Sequence, residues 1–312
     1  MENLDNRGRN FLHIAVQKAD IESVLFLISV RANVNSRVQD ASAFTPLHLA
    51  VQAGSEIIVR NLLLAGANVH DIDNHKQSAL HMAAAKDHGT IATVLIENGV
   101  DVDAVDDNQN NALHIAVHHG NLNTVRVLLT ESHINAEAYN AKGQTPLHIL
   151  GQYGRDNAGA IFDLFKESMP NYPLDKPDAD GNSGKIFGNA LLLAYQKGNG
   201  NLCRAMVRAG SSMGAMNKQG MSIFNAQVAT KQLLFRLLDM LSSEPTWSES
   251  EFCQECQVKF TIKTRKHHCR HCGRVLCAKC SAKMVPIVKY DLSRPVRTCD
   301  VCFDVLSLGG MA

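Results

Sequence analysis

The sequence predicts a chain in two parts. An all-α solenoid of stacked helix pairs spans residues 1–241, a short connector 242–246, and a small module clamped by two metal ions 247–312. Three observations predict this. An apolar motif with a histidine at its centre recurs five times at nearly constant spacing. Eight of the nine cysteines lie beyond residue 252 as four Cys-x2-Cys pairs. Basic charge is concentrated in the same stretch: residues 247–312 hold 11 Lys/Arg against 6 Asp/Glu, whereas residues 1–246 hold 20 against 24, so the whole-chain charge of +1 hides an asymmetry.

The repeated motif reads Asn-Phe-Leu-His-Ile-Ala at 10–15, Thr-Pro-Leu-His-Leu-Ala at 45–50, Ser-Ala-Leu-His-Met-Ala at 78–83, Asn-Ala-Leu-His-Ile-Ala at 111–116 and Thr-Pro-Leu-His-Ile-Leu at 145–150. Its histidines, His13, His48, His81, His114 and His148, are 35, 33, 33 and 34 residues apart. This period and core resemble the ankyrin repeat, and the resemblance covers about three quarters of the chain. It implies a turn followed by two antiparallel helices whose apolar faces are buried only by stacking. A second apolar helix and a Gly or Asn turn follow each motif, as at 57–64 and 65–69. One histidine per repeat in the same slot points to a ring bonding turn backbone, not to catalysis or metal binding. Cys203 reads as a small buried apolar residue.

After the fifth repeat the period breaks, with Leu192 in the histidine slot 44 residues after His148. The surplus lies near 169–184, where Pro170, Pro173 and Pro177 alternate with aspartates. Proline removes backbone donors and resists helix, so a looped insertion is expected there. An eroded unit at 220–225 leads into a closing helix over 231–241, making about six to seven repeats. The chain opens directly inside a repeat, which suggests the carboxy-terminal part of something longer.

The cysteine pairs are Cys253/Cys256, Cys269/Cys272, Cys277/Cys280 and Cys299/Cys302, with gaps of 12, 4 and 18 residues. Eight thiolates satisfy two tetrahedral Zn2+ sites. With no signal peptide and a reducing cytosol as the expected compartment, paired cysteines hold metal in preference to forming disulfides. No apolar run approaches the roughly 18 residues of a spanning helix, so any membrane contact is peripheral. Spacing alone leaves open whether the pairs combine sequentially or crosswise. The second pair is set in Arg-Lys-His-His-Cys-Arg-His-Cys-Gly at 265–273, and between Gln257 and Arg274 six cations stand with no acid. Since eight cysteines complete both tetrahedra, His267, His268 and His271 are free to bind an anion with the nearby guanidiniums.

These residues, together with Trp247 upstream and Arg-Thr-Cys at 297–299, closely resemble the FYVE domain, an endosomal zinc finger that reads phosphatidylinositol 3-phosphate. The resemblance implies short strands, a terminal helix and a cross-brace: Cys253, Cys256, Cys277 and Cys280 on one zinc, Cys269, Cys272, Cys299 and Cys302 on the other. Arg270 and Arg297 then meet the 3-phosphate, Arg265 and Lys266 the 1-phosphate, and His267 and His268 the ring hydroxyls. Thr261, Ile262 and Lys263 occupy the position of the family's membrane-inserting tip, with Ile262 as the wedge. One departure stands out. The family's Trp-x-x-Asp is here Trp-Ser-Glu-Ser, with Ser250 in the place of the carboxylate that accepts from ring hydroxyls, and selectivity among phosphoinositides depends on what replaces it.

The functional expectation is a non-catalytic adaptor, cytoplasmic and peripheral on the early endosome, whose repeats display a surface to protein partners such as a Rab-family GTPase. Two readings compete: a RING-type ubiquitin ligase, which normally includes a histidine among its ligands, and an ankyrin scaffold with a purely structural finger. Nucleic acid is disfavoured because exposed aromatics do not interleave the basic stretch. A homodimer would gain avidity, but no heptad pattern precedes the finger. Protonated His267 or His268 would strengthen phosphate binding, so affinity is expected to fall from about pH 6 to about pH 8.

Overall fold

The computed structural model describes residues 4–177, 189–217, 219–226, 231–245 and 247–308. Contacts gather them into two compact units, one built on residues 4–149 and the other on residues 150–166 and 189–308. The division falls inside the repeat array, so the last repeats and the cysteine module share a unit. Residues 178–184 of the expected insertion and residue 246 of the connector lie outside the described residues.

In the first unit, four helix pairs follow in order: α1 (Phe11–Gln17) and α2 (Ile21–Ser29), α3 (Pro46–Ala53) and α4 (Glu56–Leu64), α5 (Ala79–Lys86) and α6 (Gly89–Glu97), α7 (Ala112–His119) and α8 (Leu122–Glu131). The odd-numbered helices stack in one row and the even-numbered in another. The recurring motif explains the geometry. Asn10, Thr45, Ser78 and Asn111 stand just before the odd helices, and each forms a reciprocal box with the histidine three residues on. The histidine Nδ1 accepts the cap residue's N–H at 3.1–3.3 Å. Its Nε2 meets a carbonyl of the next loop: Ser36 at 3.0 Å, Asp71 at 3.1 Å, Asn110 at 3.0 Å and Gln144 at 3.0 Å. A neutral ring protonated on Nε2 serves both bonds, so each histidine closes its own helix and ties it to the following loop. The structural role expected for these rings is what the structure shows. Gly54 and Gly120 end α3 and α7 in the left-handed region. Asp87 takes that conformation after α5, and its carboxylate accepts from Thr124 N–H and the Asn123 amide, both at 2.9 Å.

Helices α9 (Pro146–Tyr153) and α10 (Ala158–Ser168) come next, then α11 (Ala190–Gln196), α12 (Gly200–Arg208) and α13 (Gln232–Asp239). Asn189 caps α11 by accepting the Leu192 N–H at 2.9 Å, but Leu192 in the histidine slot cannot return the bond, so only half of the cap survives. Residues 169–177 form turns without helix or strand, and Tyr172 packs edge-on against Phe165. The eroded unit at 220–225 also forms turns, not the first helix of a repeat, although Ile223 and Phe224 are buried. Cys203 is fully buried and its thiol is pushed up to about 12 by desolvation, as befits an inert core residue.

The cysteine module pairs β1 (His267–His268) with β2 (Val275–Leu276) and β3 (Lys283–Ile287) with β4 (Leu292–Thr298), both antiparallel, and ends in α14 (Asp300–Leu308). Two-residue strands cannot hold a fold on their own. Among the described residues, no helix is long and apolar enough to cross a membrane.

Candidate metal centres and anion-binding face

The eight cysteines form two groups. Cys253, Cys256, Cys277 and Cys280 make one and Cys269, Cys272, Cys299 and Cys302 the other, the sulfurs of each lying within 4.8 Å of one another. The pairs combine crosswise, because β1 and β2 fold the second pair away from the third and the hairpin of β3 and β4 returns the fourth pair to the second. Sulfurs around zinc at about 2.3 Å would stand about 3.8 Å apart, and Cys256 and Cys277 sulfurs are 3.7 Å apart. Backbone N–H groups support the thiolates: Cys277 donates to Cys253 Sγ at 3.3 Å, and Cys299 to Cys269 Sγ at 3.4 Å. The donor set and spacing therefore fit Zn2+. The second group is wholly buried, whereas in the first Cys256 is exposed and Cys280 half-buried.

Around the second group stands the basic face. His267 and His268 sit on β1, and the Arg270 N–H donates to the Arg297 carbonyl at 3.0 Å, drawing the turn after β1 onto β4. Arg297 Nη1 donates to the Ser281 carbonyl at 2.7 Å, which fixes its direction. Arg265 and Lys266 are exposed. The imidazole of His267 is held below its ordinary range, first by partial burial and then by the positive charges of Arg297, Arg265 and His268. His271 is different: it is fully buried and pushed down to about 4, so it cannot join the anion site as the motif suggested.

In the sequence Trp247 is only an upstream motif residue. In the structure its ring is the platform of the site, with Arg270 4.0 Å above it and His268 stacked at 4.7 Å and 18°. His268 Nε2 also bonds the Ser248 carbonyl at 3.2 Å. Arg270 Nη1 is buried and has no hydrogen-bond partner among the described residues. Neither carboxylate near the altered motif reaches this place: Glu249 pairs with Lys266 at 3.5 Å and Glu251 with Lys259 at 4.0 Å. Ser250 Oγ accepts from its own chain, the Phe252 N–H at 3.0 Å.

A reciprocal turn between Thr261 and Thr264, both backbone bonds 3.1 Å, carries the tip. Ile262 is 98% exposed at its end with Lys263 beside it, while Phe260 is half-buried. An isoleucine so presented has no fold contacts to lose. Ile262→Glu is therefore expected to weaken binding to vesicles about ten- to hundredfold, the roughly 1.5–3 kcal/mol of an inserted side chain, without changing affinity for a soluble headgroup. Vesicle sedimentation beside titration calorimetry measures both, and equal losses in the two would place Ile262 inside the protein.

Comparison with known families agrees with this architecture. The FYVE zinc finger model matches residues 245–308, and the model for ankyrin repeats (3 copies) matches residues 12–106 and 80–163. The chain thus carries ankyrin repeats followed by a FYVE zinc finger, a finger that binds two Zn2+. Over 311 residues it is 72% identical to Rabankyrin-5 of Homo sapiens, and equally to Rabankyrin-5 of Mus musculus, which covers all of this chain and 26% of each relative. The chain thus spans about a quarter of the length of these relatives. The finger alone is similar to the hepatocyte growth factor-regulated tyrosine kinase substrate of Drosophila melanogaster, 48% identical over 62 residues, or 20% of this chain and 8% of that one.

Proposed function

We propose that the chain is a non-catalytic adaptor that docks on early-endosomal membranes through phosphatidylinositol 3-phosphate and presents protein partners on its repeats. The observation that carries this is Arg270, its guanidinium laid on the Trp247 ring and its backbone N–H tied to the Arg297 carbonyl, with Arg265, Lys266, His267, His268 and Arg297 adding cationic or imidazole side chains to the same face. A phosphomonoester offers nearly two negative charges and several acceptor oxygens, which matches such a fork. Each set of four cysteines takes one Zn2+, and the metals hold the loops from which these side chains project. The exposed Ile262 tip supplies the second contact a membrane needs. Both module types are non-catalytic. The match to Rabankyrin-5 supports endosomal trafficking and, among partners of the repeats, an early-endosomal Rab-family GTPase.

Liposome flotation of the full chain against a panel of phosphoinositides at constant ionic strength tests the reading. Binding is expected to favour the 3-phosphate, and Arg270→Ala to lower it about ten- to hundredfold, the cost of a lost charge-assisted bond. Affinity that followed lipid charge alone would reduce the face to a nonspecific basic patch. With no carboxylate where the family has Asp, discrimination rests on Arg270 and Arg297. Because His267 is held below its ordinary range, any gain from its protonation appears on the acidic side of about pH 6.5, so the fall in affinity lies lower than the motif alone suggests.

A further inference from the structure

We propose that the zinc finger is the closing cap of the repeat array, and that Arg274 is the latch coupling the second metal site to the order of the last repeats. A helical stack leaves an uncovered apolar end unless something covers it. In this unit α12 packs on α13, and α13 packs on α14 of the finger. Leu234, Leu237 and Leu238 of α13 are fully buried.

Arg274 is the largest fully buried side chain of the described residues. An interior guanidinium is costly unless it is paired. Its Nη1 donates to Glu255 at 2.7 Å, and its guanidinium carbon lies 3.6 Å over the ring of Phe224, a residue of the turns that precede α13. Its carbonyl accepts the Cys269 N–H at 3.0 Å, which fixes the residue to a ligand loop of the second metal site. A zinc ion with four thiolates carries a net charge of −2, so the loaded site supplies countercharge to a guanidinium two residues from Cys272. The latch thus joins metal, finger and repeat through one cation.

Other contacts along the seam use backbone. Gln254 Nε2 donates to the Gly214 carbonyl at 2.9 Å, while its Oε1 accepts the Val275 N–H at 2.9 Å. Lys289 Nζ donates to the carbonyls of Leu238 at 3.3 Å and Asp239 at 2.9 Å, satisfying the open end of α13 with a cation where the helix dipole favours one. Gly214 makes the approach possible: a Cβ there would stand 2.7 Å from Ser248 Oγ and 3.1 Å from Arg274 Cγ.

The proposal rests on the two-zinc reading, and metal content is therefore measured alongside it. In the full, zinc-loaded chain, Arg274→Met is expected to keep two zincs while amide exchange in α12 and α13 speeds at least tenfold and that of α3 to α8 stays unchanged. Gly214→Leu, a wedge on the repeat side, is expected to do the same. Zinc loss in Arg274→Met would make the residue a support of the metal site and not a latch, and Gly214→Leu alone would then decide the cap. Wild-type exchange in α13 with two zincs bound in both variants overturns the proposal.

Discussion

Removing zinc with a chelator is expected to unfold the finger while leaving the helices of residues 4–149 intact. The finger offers little else to fold around: two strand pairs, one of only two residues a side, and a short list of buried aliphatics, chiefly Val275, Leu276, Ile287 and Val305. Structural zinc contributes about 10–16 kcal/mol per site, against a net stability of about 5–15 kcal/mol for a typical domain. Nothing else in 60-odd residues replaces a term of that size. Trp247 is the sole tryptophan of the chain, so its emission reports on the finger alone, while far-ultraviolet circular dichroism follows the helices. The emission should change with loss of two metals, and the helical signal should largely persist. Release should occur in two steps, the first from the group containing exposed Cys256 and half-buried Cys280, the second from the wholly buried group. Unchanged emission after complete metal removal would show that packing, and not zinc, holds the finger.

Acidification is expected to weaken the repeat array well before carboxylates titrate. His13, His48, His81 and His114 are each held below the ordinary histidine range, chiefly by burial. In each, Nδ1 also faces an N–H donor and cannot accept a proton without losing the cap. Because the folded value lies below the unfolded one, the unfolded chain binds more protons beneath pH 6.5, and stability falls as pH drops. For His114, pushed down to about 4, this costs about 2 kcal/mol by pH 5 and about 3 kcal/mol by pH 4. The other three add in the same direction. Urea midpoints taken between pH 7.5 and pH 5 should decline steadily, and His114→Gln should start lower at pH 7.5 but decline less. A midpoint constant over that range would mean that the rings are not kept neutral by the fold.

Much of the site was legible because its chemistry is local. Cys-x2-Cys spacing places two thiolates on one turn, and a run of cations around it needs no distant partner to be recognised. The histidine slot was legible for the same reason, its box closing over three residues. What was not legible depended on distance in space. His271 belongs to the same nine-residue run as Arg270, yet one ring is buried and the other guanidinium lies on Trp247. Arg274 is one of six cations in its stretch and nothing local gives it a role, since its partner Phe224 is fifty residues away. The carboxylates beside Ser250 in the chain, Glu249 and Glu251, pair with lysines instead of taking the place of the family's Asp.

By itself, the order of residues determined the two architectures, the repeat period, the eight metal ligands and the cationic character of the anion face, since each follows from short-range pattern. Only the tertiary structure decided the crosswise grouping of the cysteines, the stacking of Arg270 and His268 on one indole and the packing of α14 against α13. The reason is physical: direction and burial are set by long-range packing, where a side chain one or two places along the chain can face the opposite way.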